Sequence, residues 1–280
     1  MFFCIKRSAM LGFILVFFLI TASFSVRKAV LSSVSVQNSV RLPILMYHHF
    51  LPERDMLGKY VISPSEFEND LKFLIQNGYT TVSVSDLEAF IQGKGNLPSK
   101  PIMITVDDGY LSFYKYAFPL LKKYNCKAVF SVVGYYSEYY ESINQSNVIY
   151  THVTFNQMKE MLSSSLIEIA NHSYNMHDLK KRHGIKRLEG ESEEQYKSIL
   201  TKDILKNQEL LFSKISYVPY IYTYPFGYRS EFTDNLIREL GFKASFTCEE
   251  RINTIARGSS LFNLHRYNRS SGKNIFKMIQ

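Results

Sequence analysis

Two short polar motifs in this chain carry side chains that could bind a metal ion. Asp107 and Asp108 follow the apolar run 101–106, and His172 and His177 follow the apolar run 166–170. Both runs have the length and composition of buried strands. One carboxylate and two imidazoles make a three-ligand site that leaves positions open for water and substrate, as in catalytic zinc-type sites. The other carboxylate could then accept a proton from water.

The spacing of the two histidines predicts a curled loop. Five residues at about 100° each would place the two side chains roughly 140° apart on a helix, so they would not share a face. Asn175, which lies between them, favours a loop. Asp-Asp-Gly alone is an ordinary turn, and a His-x4-His pair alone is weak evidence. Their joint placement directly after two apolar runs favours a shared site.

The predicted elements alternate along the chain. Helical periodicity predicts helices at 64–78, 85–92, 116–123, 154–163, 192–212 and 232–240, and apolar runs predict strands at 42–47, 80–84, 102–106, 127–133, 166–170 and 217–224. Such alternation predicts a parallel sheet with right-handed crossovers. The carboxyl ends of the strands of a β/α barrel open on one face. We therefore expect an α/β protein with a distorted or incomplete β/α barrel as its single catalytic domain.

The motifs resemble those of the polysaccharide deacetylases. This family is also called carbohydrate esterase family four, and its domain is the nodulation-type deacetylase domain. Thr-Val-Asp-Asp-Gly at 105–109 is similar to the first motif of that family, Thr-Phe-Asp-Asp-Gly. The segment 172–177 is similar to the second, His-Ser/Thr-x-x-x-His. Tyr-Pro-Phe-Gly at 224–227 resembles the third, Arg-x-Pro-Tyr/Phe-Gly. The likeness covers about residues 40–270.

The resemblance implies a role for each motif residue. Asp107 would be the catalytic base. Asp108, His172 and His177 would be the metal ligands. The backbone N–H of Phe226 would help to hold the oxyanion.

The chain departs from the family pattern in three places. Thr223 stands where the third motif normally begins with an Arg that orients the base. The fourth motif contains a Trp, and this chain has none. The final Leu-x-His motif of the family supplies the general acid. The one candidate near the end of this chain is His265, but Leu264 directly precedes it, with no residue between them. We therefore expect His265 to be the acid.

Further aromatic and imidazole groups are candidates for the substrate site. Tyr224, Pro225 and Phe226 would contact the substrate through the third motif. Tyr136 belongs to an aromatic segment at 135–140, predicted as a loop, which either packs at the barrel rim or stacks on sugar rings.

Four other histidines are assigned from their sequence context. His48 and His49 follow a strand, so they are either rival metal ligands or rim and substrate residues. His152 and His183 lie in polar sequence and are predicted to be solvated.

The N-terminal segment predicts export. Lys6 and Arg7 precede an apolar run at 9–20, and small residues follow it, so residues 1–25 form a signal peptide or a retained membrane anchor. Residues 26–40 are expected to be a linker and 41–280 the deacetylase domain. The protein would be secreted or anchored to the outer face of the cell membrane, with membrane contact through the N-terminal segment if it is uncleaved. Cys126 and Cys248 are expected to be either bonded or buried free thiols.

The charge of the chain limits its partners. The formal net charge of +8 is dispersed, and the densest basic run is followed by several glutamates, which argues against nucleic acid binding. Attraction to anionic wall polymers or lipid headgroups stays open. The sequence carries no information on the oligomeric state.

The resemblance implies metal-dependent removal of N-acetyl groups from an N-acetylglucosamine-containing polysaccharide. Two His and one Asp suit Zn²⁺, and also Co²⁺, Ni²⁺ or Fe²⁺. The polymer could be peptidoglycan, exported poly-N-acetylglucosamine or a chitin-like chain. The alternatives are an O-acetyl esterase on an acetylated polysaccharide and a non-catalytic wall-binding protein on the same scaffold.

Overall fold

The computed structural model describes residues 39–180 and 182–279. The predicted leader at 1–25 and nearly all of the predicted linker at 26–40 lie outside the described residues, so both stay predictions. Within the described part of the chain, no helix is both long enough and apolar enough to cross a membrane.

The described residues form thirteen strands and eight α-helices. The strands are β1 (Ser39–Leu42), β2 (Ile44–Tyr47), β3 (His49–Phe50), β4 (Val61–Ile62), β5 (Thr80–Thr81), β6 (Pro101–Val106), β7 (Ala128–Val132), β8 (Ile167–Asn171), β9 (Ile221–Thr223), β10 (Ala244–Phe246), β11 (Asn253–Ala256), β12 (Leu261–Leu264) and β13 (Tyr267–Asn268). The helices are α1 (Pro64–Gln76), α2 (Val84–Ile91), α3 (Phe118–Tyr124), α4 (Gly134–Ser142), α5 (Phe155–Ser163), α6 (Glu193–Ile215), α7 (Glu231–Glu239) and α8 (Phe276–Ile279).

A curled parallel sheet forms the centre of the fold. Its strand order is β12-β10-β9-β8-β7-β6-β2-β13, with β5 added beside β6, and all of these pairings are parallel. Helices surround the sheet, which confirms the predicted α/β class and the distorted, incomplete barrel. Because the strands are parallel, the segments that follow β6, β8 and β9 leave the sheet at one edge.

Successive residues of the strands pack into two different cores. Ala128, Phe130 and Val132 of β7 belong to a cluster that includes residues of α1, α3, α5 and α6, whereas Val129 belongs to a second cluster that includes residues of α2. This alternation follows from the period of two of a strand. Both faces of the sheet are buried, so the strand ends that carry the motifs are fixed from both sides.

Most predicted elements are present with bounds shifted by a few residues. Helix α1 begins after Ser63, whose side chain accepts the Glu66 N–H in a capping box. Helix α5 begins after Thr154 in the same way. A π-helical turn at Phe113–Ala117 precedes α3, so that helical segment begins earlier than predicted.

Three predicted elements differ from the structure. Helix α2 begins after Ser83, before its predicted start at 85, because Ser83 and Asp86 form a capping box. The strand predicted at 217–224 is shorter, since Pro219 has no N–H to donate to a sheet ladder. The aromatic segment predicted as a loop is helix α4, in which Tyr135 and Tyr139, one turn apart, stack with ring centroids 6.0 Å apart.

Candidate active site

The chain turns sharply at the two aspartates, as their joint use in one site requires. Asp108 has φ 75° and Gly109 has φ 85°. A non-glycine residue in this left-handed region is strained and is kept only where the surroundings hold it. Asp107 therefore continues β6 while Asp108 is turned away from the strand direction.

The structure brings Asp108, His172 and His177 together. Their ligand atoms all lie within 4.8 Å of one another, and in the described residues this is the one group of three or more such side chains that could hold a metal ion. The distance from Asp108 Oδ1 is 3.1 Å to His177 Nε2 and 3.5 Å to His172 Nε2. These are the three residues predicted as metal ligands.

The donor set fits a divalent cation. His172 Nδ1 lies 2.8 Å from the Thr223 carbonyl oxygen, which can only accept, so Nδ1 carries the proton. The Nε2 atoms of His172 and His177 both face Asp108 Oδ1. Two imidazole nitrogens and one carboxylate oxygen that converge in this way suit a divalent cation, and orientation of a ligand imidazole by a carbonyl is typical of metal sites.

Helix α6 holds the histidine loop in place. Asp203 accepts the backbone N–H groups of Tyr174 and Asn175, at 2.8 and 2.9 Å. The Asn207 amide donates to the Ser173 carbonyl at 3.0 Å. Residues 172–177 form a loop, as predicted from the histidine spacing. Ser173 has φ 71°, so these hydrogen bonds support a strained backbone.

Asp107 is held by Arg266, a residue that the sequence did not single out. Two nearly parallel hydrogen bonds of 2.8 Å join the guanidinium to the two carboxylate oxygens, and the arginine is fully buried. Its remaining N–H groups point to Thr247 O, Thr105 Oγ1 and Cys248 Sγ. Burial raises the pKa of Asp107, but the surrounding charges and hydrogen bonds, led by the charge of Arg266, together outweigh burial, so the net pKa lies below its ordinary value.

Arg266 replaces the arginine that is missing from the third motif. Thr223, which stands at that place, is buried and bonds to Ser131 Oγ at 2.8 Å through its hydroxyl group. Asp107 is therefore oriented from the segment between β12 and β13. The sequence does show an arginine directly after His265. Arg266 and Asp107 are 159 residues apart along the chain, so nothing in the sequence indicates that they pair.

Asp107, Asp108, His172 and His177 line a cleft of about 720 Å³. Phe226 also lines it and stacks on His177, with ring centroids 4.3 Å apart. Its φ of 56° lies in the left-handed region, within the turn that follows β9. Cys248 lines the same cleft, and both Cys248 and Cys126 are free thiols.

His48 and His49 both line this cleft but differ in their bonding. His49 is buried, with Nδ1 2.6 Å from Ser112 Oγ and Nε2 2.9 Å from the Ile149 carbonyl oxygen, so both nitrogens are engaged. His48 Nδ1 is buried without a hydrogen-bond partner among the described residues. Neither joins the three-ligand group.

Three other predicted site residues lie away from the cleft lining. Tyr224 is fully buried and donates its hydroxyl group to Asp234 at 2.8 Å, and Pro225 is buried within the turn Pro225–Gly227. Their roles in substrate binding stay predictions. Tyr136 stacks on His152 instead.

His265 is also separate from the cleft lining. Its Nδ1 lies 3.6 Å from Glu249 Oε2. Burial and the charges of Arg251 and Arg229 lower the pKa of His265, and the charge of Glu249 opposes them. Its role as general acid stays a prediction.

A comparison of the sequence with protein families decides the assignment. The family model described as polysaccharide deacetylase matches residues 94–245, more than half of the chain. The chain belongs to the polysaccharide deacetylase family. This membership confirms the resemblance seen in the three motifs and the predicted hydrolase class.

Individual members of the polysaccharide deacetylase family show how far the similarity extends. Poly-beta-1,6-N-acetyl-D-glucosamine N-deacetylase of Escherichia coli (strain K12) is 25% identical over 210 residues, which cover 67% of this chain and 31% of that protein. The protein of the same name from Staphylococcus aureus (strain MRSA252) is 25% identical over 204 residues, 72% of this chain and 66% of that protein. A solved de-N-acetylase from Aggregatibacter actinomycetemcomitans has a TM-score of 0.73 at 25% identity, covering 84% of this chain and 97% of that chain. This chain thus spans about a third of the length of the E. coli relative.

Removal of metal should make stability depend on the protonation of His177. Burial lowers the pKa of His177, but the hydrogen bond and charge of Asp108 outweigh burial and raise it above its ordinary value of 6.5. A raised pKa contributes stability below the unfolded pKa, and that contribution is lost as pH rises through the folded pKa. We expect the free energy of unfolding of the chelator-treated protein to fall as the pH rises from the ordinary pKa of histidine, 6.5, through the raised pKa of His177. Urea unfolding of the wild type and of His177→Asn, which should lack this step, is the measurement.

Proposed function

We propose that this chain is a metal-dependent hydrolase that removes N-acetyl groups from an exported, N-acetylglucosamine-containing polysaccharide. One observation carries the proposal: Asp108, His172 and His177 converge beside a separate carboxylate, Asp107, that Arg266 keeps ionised and oriented. The names of the E. coli and S. aureus relatives support this substrate class. The apolar N-terminal sequence supports export, with a secreted or membrane-anchored mature protein.

Asp108, His172 and His177 would hold the metal, for which Zn²⁺ is the first candidate. A divalent metal in such a site supplies Lewis acidity, which polarises a carbonyl group and makes water more acidic. His172 is oriented for this task by Thr223, and His177 by its contact with Phe226. Burial raises the pKa of Asp108, but its hydrogen bonds with both histidines outweigh burial, so its pKa lies well below the ordinary value and it remains an anion.

Asp107 would accept the proton from the attacking water. Arg266 occupies one lone pair of each carboxylate oxygen, which leaves the others for a proton. The carboxylate is only 2% exposed but lines the cleft, so it faces the substrate without losing its ion pair to solvent. The backbone N–H of Phe226 would help to stabilise the oxyanion of the tetrahedral intermediate.

An acid must then protonate the departing nitrogen, because amines are poor leaving groups. We assign this step to His48. Burial lowers the pKa of His48, and the charges of Asp108 and Asp107 oppose that effect. The imidazolium form of His48, which these two charges favour, would donate a ring proton to the departing nitrogen and become neutral, and the cleft gives it access to the substrate.

Alanine substitution of the two candidate acids should separate them. We expect His48→Ala to lower kcat by about 10²- to 10⁴-fold, the usual range for acid–base groups, with metal content retained. His265→Ala should keep kcat within a few-fold of the wild type, because His265 lies outside the cleft lining. Acetate release and elemental analysis of both variants are the measurements, and the reverse pattern would return the acid role to His265.

A panel of acetylated polymers with acetate detection tests the reaction as a whole. The panel should contain poly-N-acetylglucosamine, peptidoglycan, a chitin-like chain and an O-acetylated polysaccharide. We expect metal-dependent acetate release from an N-acetylated member. Release from the O-acetylated polymer alone would establish the esterase instead, and binding of the polymers without any acetate release would indicate a binding protein.

A further inference from the structure

Helix α4 and the segment that follows it carry an unusual concentration of exposed aromatic surface. Tyr139 and Tyr150 are 45% and 47% exposed, and Ile143 and Ile149 are also exposed. Contiguous exposed apolar groups on a soluble domain commonly mark an interaction site. We refer to Tyr135, Tyr139, Tyr140 and Tyr150 together as the tyrosine surface.

The tyrosine surface is continuous with the cleft through a series of ring contacts. Tyr140 stacks on His152 at 5.4 Å and contacts Tyr150 at 6.2 Å. His152 in turn contacts Tyr110 at 4.7 Å, and Tyr110 lines the cleft. Ring contacts therefore connect the cleft lining, through the buried His152, with the exposed Tyr150.

His152 lies between the tyrosine rings of this series and contacts three of them. The sequence predicted a solvated imidazole, but His152 is buried between Tyr110, Tyr136 and Tyr140, and burial lowers its pKa to about 4. It is therefore neutral near pH 7. The rings that it supports are held in place before any ligand arrives, which reduces the entropy lost on binding.

The chemistry of the surface favours a sugar chain that carries amines. Tyrosine offers an apolar face for a pyranose ring and a hydroxyl group at its edge. The segment 134–150 contains Glu138 and Glu141 and has no Lys or Arg, so anionic lipid headgroups find no cation in that segment. Ammonium groups, in contrast, are attracted both by a carboxylate and by tyrosine ring faces. Glu138 is exposed, and its Oε2 accepts the Tyr174 hydroxyl group at 2.7 Å, which holds the carboxylate at this surface.

We propose that the tyrosine surface is a second polysaccharide site that binds deacetylated, glucosamine-containing stretches of the polymer next to the cleft. The inference rests on the proposed function, since that reaction produces the amines. A product-binding surface beside the cleft would keep the enzyme on one chain while further acetylated residues enter. The overall affinity for the polymer would rise, because one polymer chain would contact the protein at two sites at once.

Binding of short oligosaccharides to the full chain tests this site directly. Glucosamine and N-acetylglucosamine hexamers are titrated calorimetrically into wild type, Tyr139→Ala/Tyr150→Ala, Glu138→Gln and Phe212→Ala, with unfolding temperatures measured as a check on folding. Phe212 is the matched control because it is an aromatic residue 60% exposed on α6, outside the tyrosine surface. We expect the double variant to bind the glucosamine hexamer about tenfold more weakly and Glu138→Gln about threefold more weakly. Phe212→Ala should bind as the wild type does.

Three results would overturn the proposal. These are equal affinity of the double variant and wild type for the glucosamine hexamer, a tyrosine-dependent preference for the acetylated hexamer, and tyrosine-dependent binding to anionic phosphatidylglycerol vesicles in place of the sugar. Failure of the proposed reaction is recognised separately. Wild-type protein that releases no acetate from any polymer, yet binds the glucosamine hexamer through Tyr139 and Tyr150, would refute the reaction and retain the surface.

Discussion

Substituting His172 or His177 by Ala is expected to strip the metal and abolish acetate release while the fold is kept. Each change removes one of three protein ligands, whereas losing only a group that orients a ligand typically costs 10- to 100-fold in affinity. We therefore expect metal affinity to fall by more than about 100-fold. His177 borders the open cleft, so its loss leaves the two cores intact. Asp108→Ala should behave in the same way.

Elemental analysis after dialysis and acetate release from an N-acetylated polymer are the measurements. Far-UV circular dichroism reports whether the fold survives. His183→Ala is the matched control, because His183 is exposed and does not belong to the three-ligand group. A full complement of metal in either histidine variant would refute the ligand assignment.

The sequence predicted the parts of the site that depend on local chain geometry. The turn at Asp108 and Gly109 and the loop at 172–177 follow from residue type and spacing, and both are present. Parallel strands then bring the two segments together, because β6 and β8 both pair with β7. Residue types and spacing within each motif, together with the predicted parallel sheet, were sufficient to predict that the two motifs meet.

The sequence could not predict the contacts made by residues distant along the chain. Arg266 reaches Asp107 only because the segment after β12 returns to the sheet, where β13 pairs with β2. Nothing in the local sequence distinguishes this arginine from a solvated one. The same limit applies to His48, whose neighbours at the cleft come from other elements of the fold.

The side chains of Tyr224 and Tyr136 lie outside the cleft lining for a different reason. Motif similarity places a segment in the site, but it does not say which side chains of the segment face the substrate. In the third motif Phe226 lines the cleft, whereas Tyr224 packs in a cluster with residues of α6 and α7. In α4, helical geometry turns Tyr136 toward His152, and Tyr139 remains exposed.

Asp107 and Arg266 form one unit, and substitutions of both residues should separate its catalytic role from its structural role. Asp107→Asn keeps the shape and one carbonyl oxygen but removes the base. We expect the variant to retain metal and to lose about two to four orders of magnitude in kcat, the usual range for a general base. It should also be less stable, because a fully buried guanidinium would lose its anion. Breaking a buried pair in this way typically costs about 3–5 kcal/mol.

Asp107→Asn/Arg266→Met is the decisive comparison. Replacing both charges removes the unpaired buried ion, and such replacements are often neutral or stabilising relative to the broken pair. Stability in urea should therefore recover in the double variant, whereas acetate release should not, because the base is still absent. Recovery of both would show that the single variant failed through instability and not through loss of the base. A metal-free Asp107→Asn protein would exchange the roles of the two aspartates, and a fully active one would remove Asp107 from the mechanism.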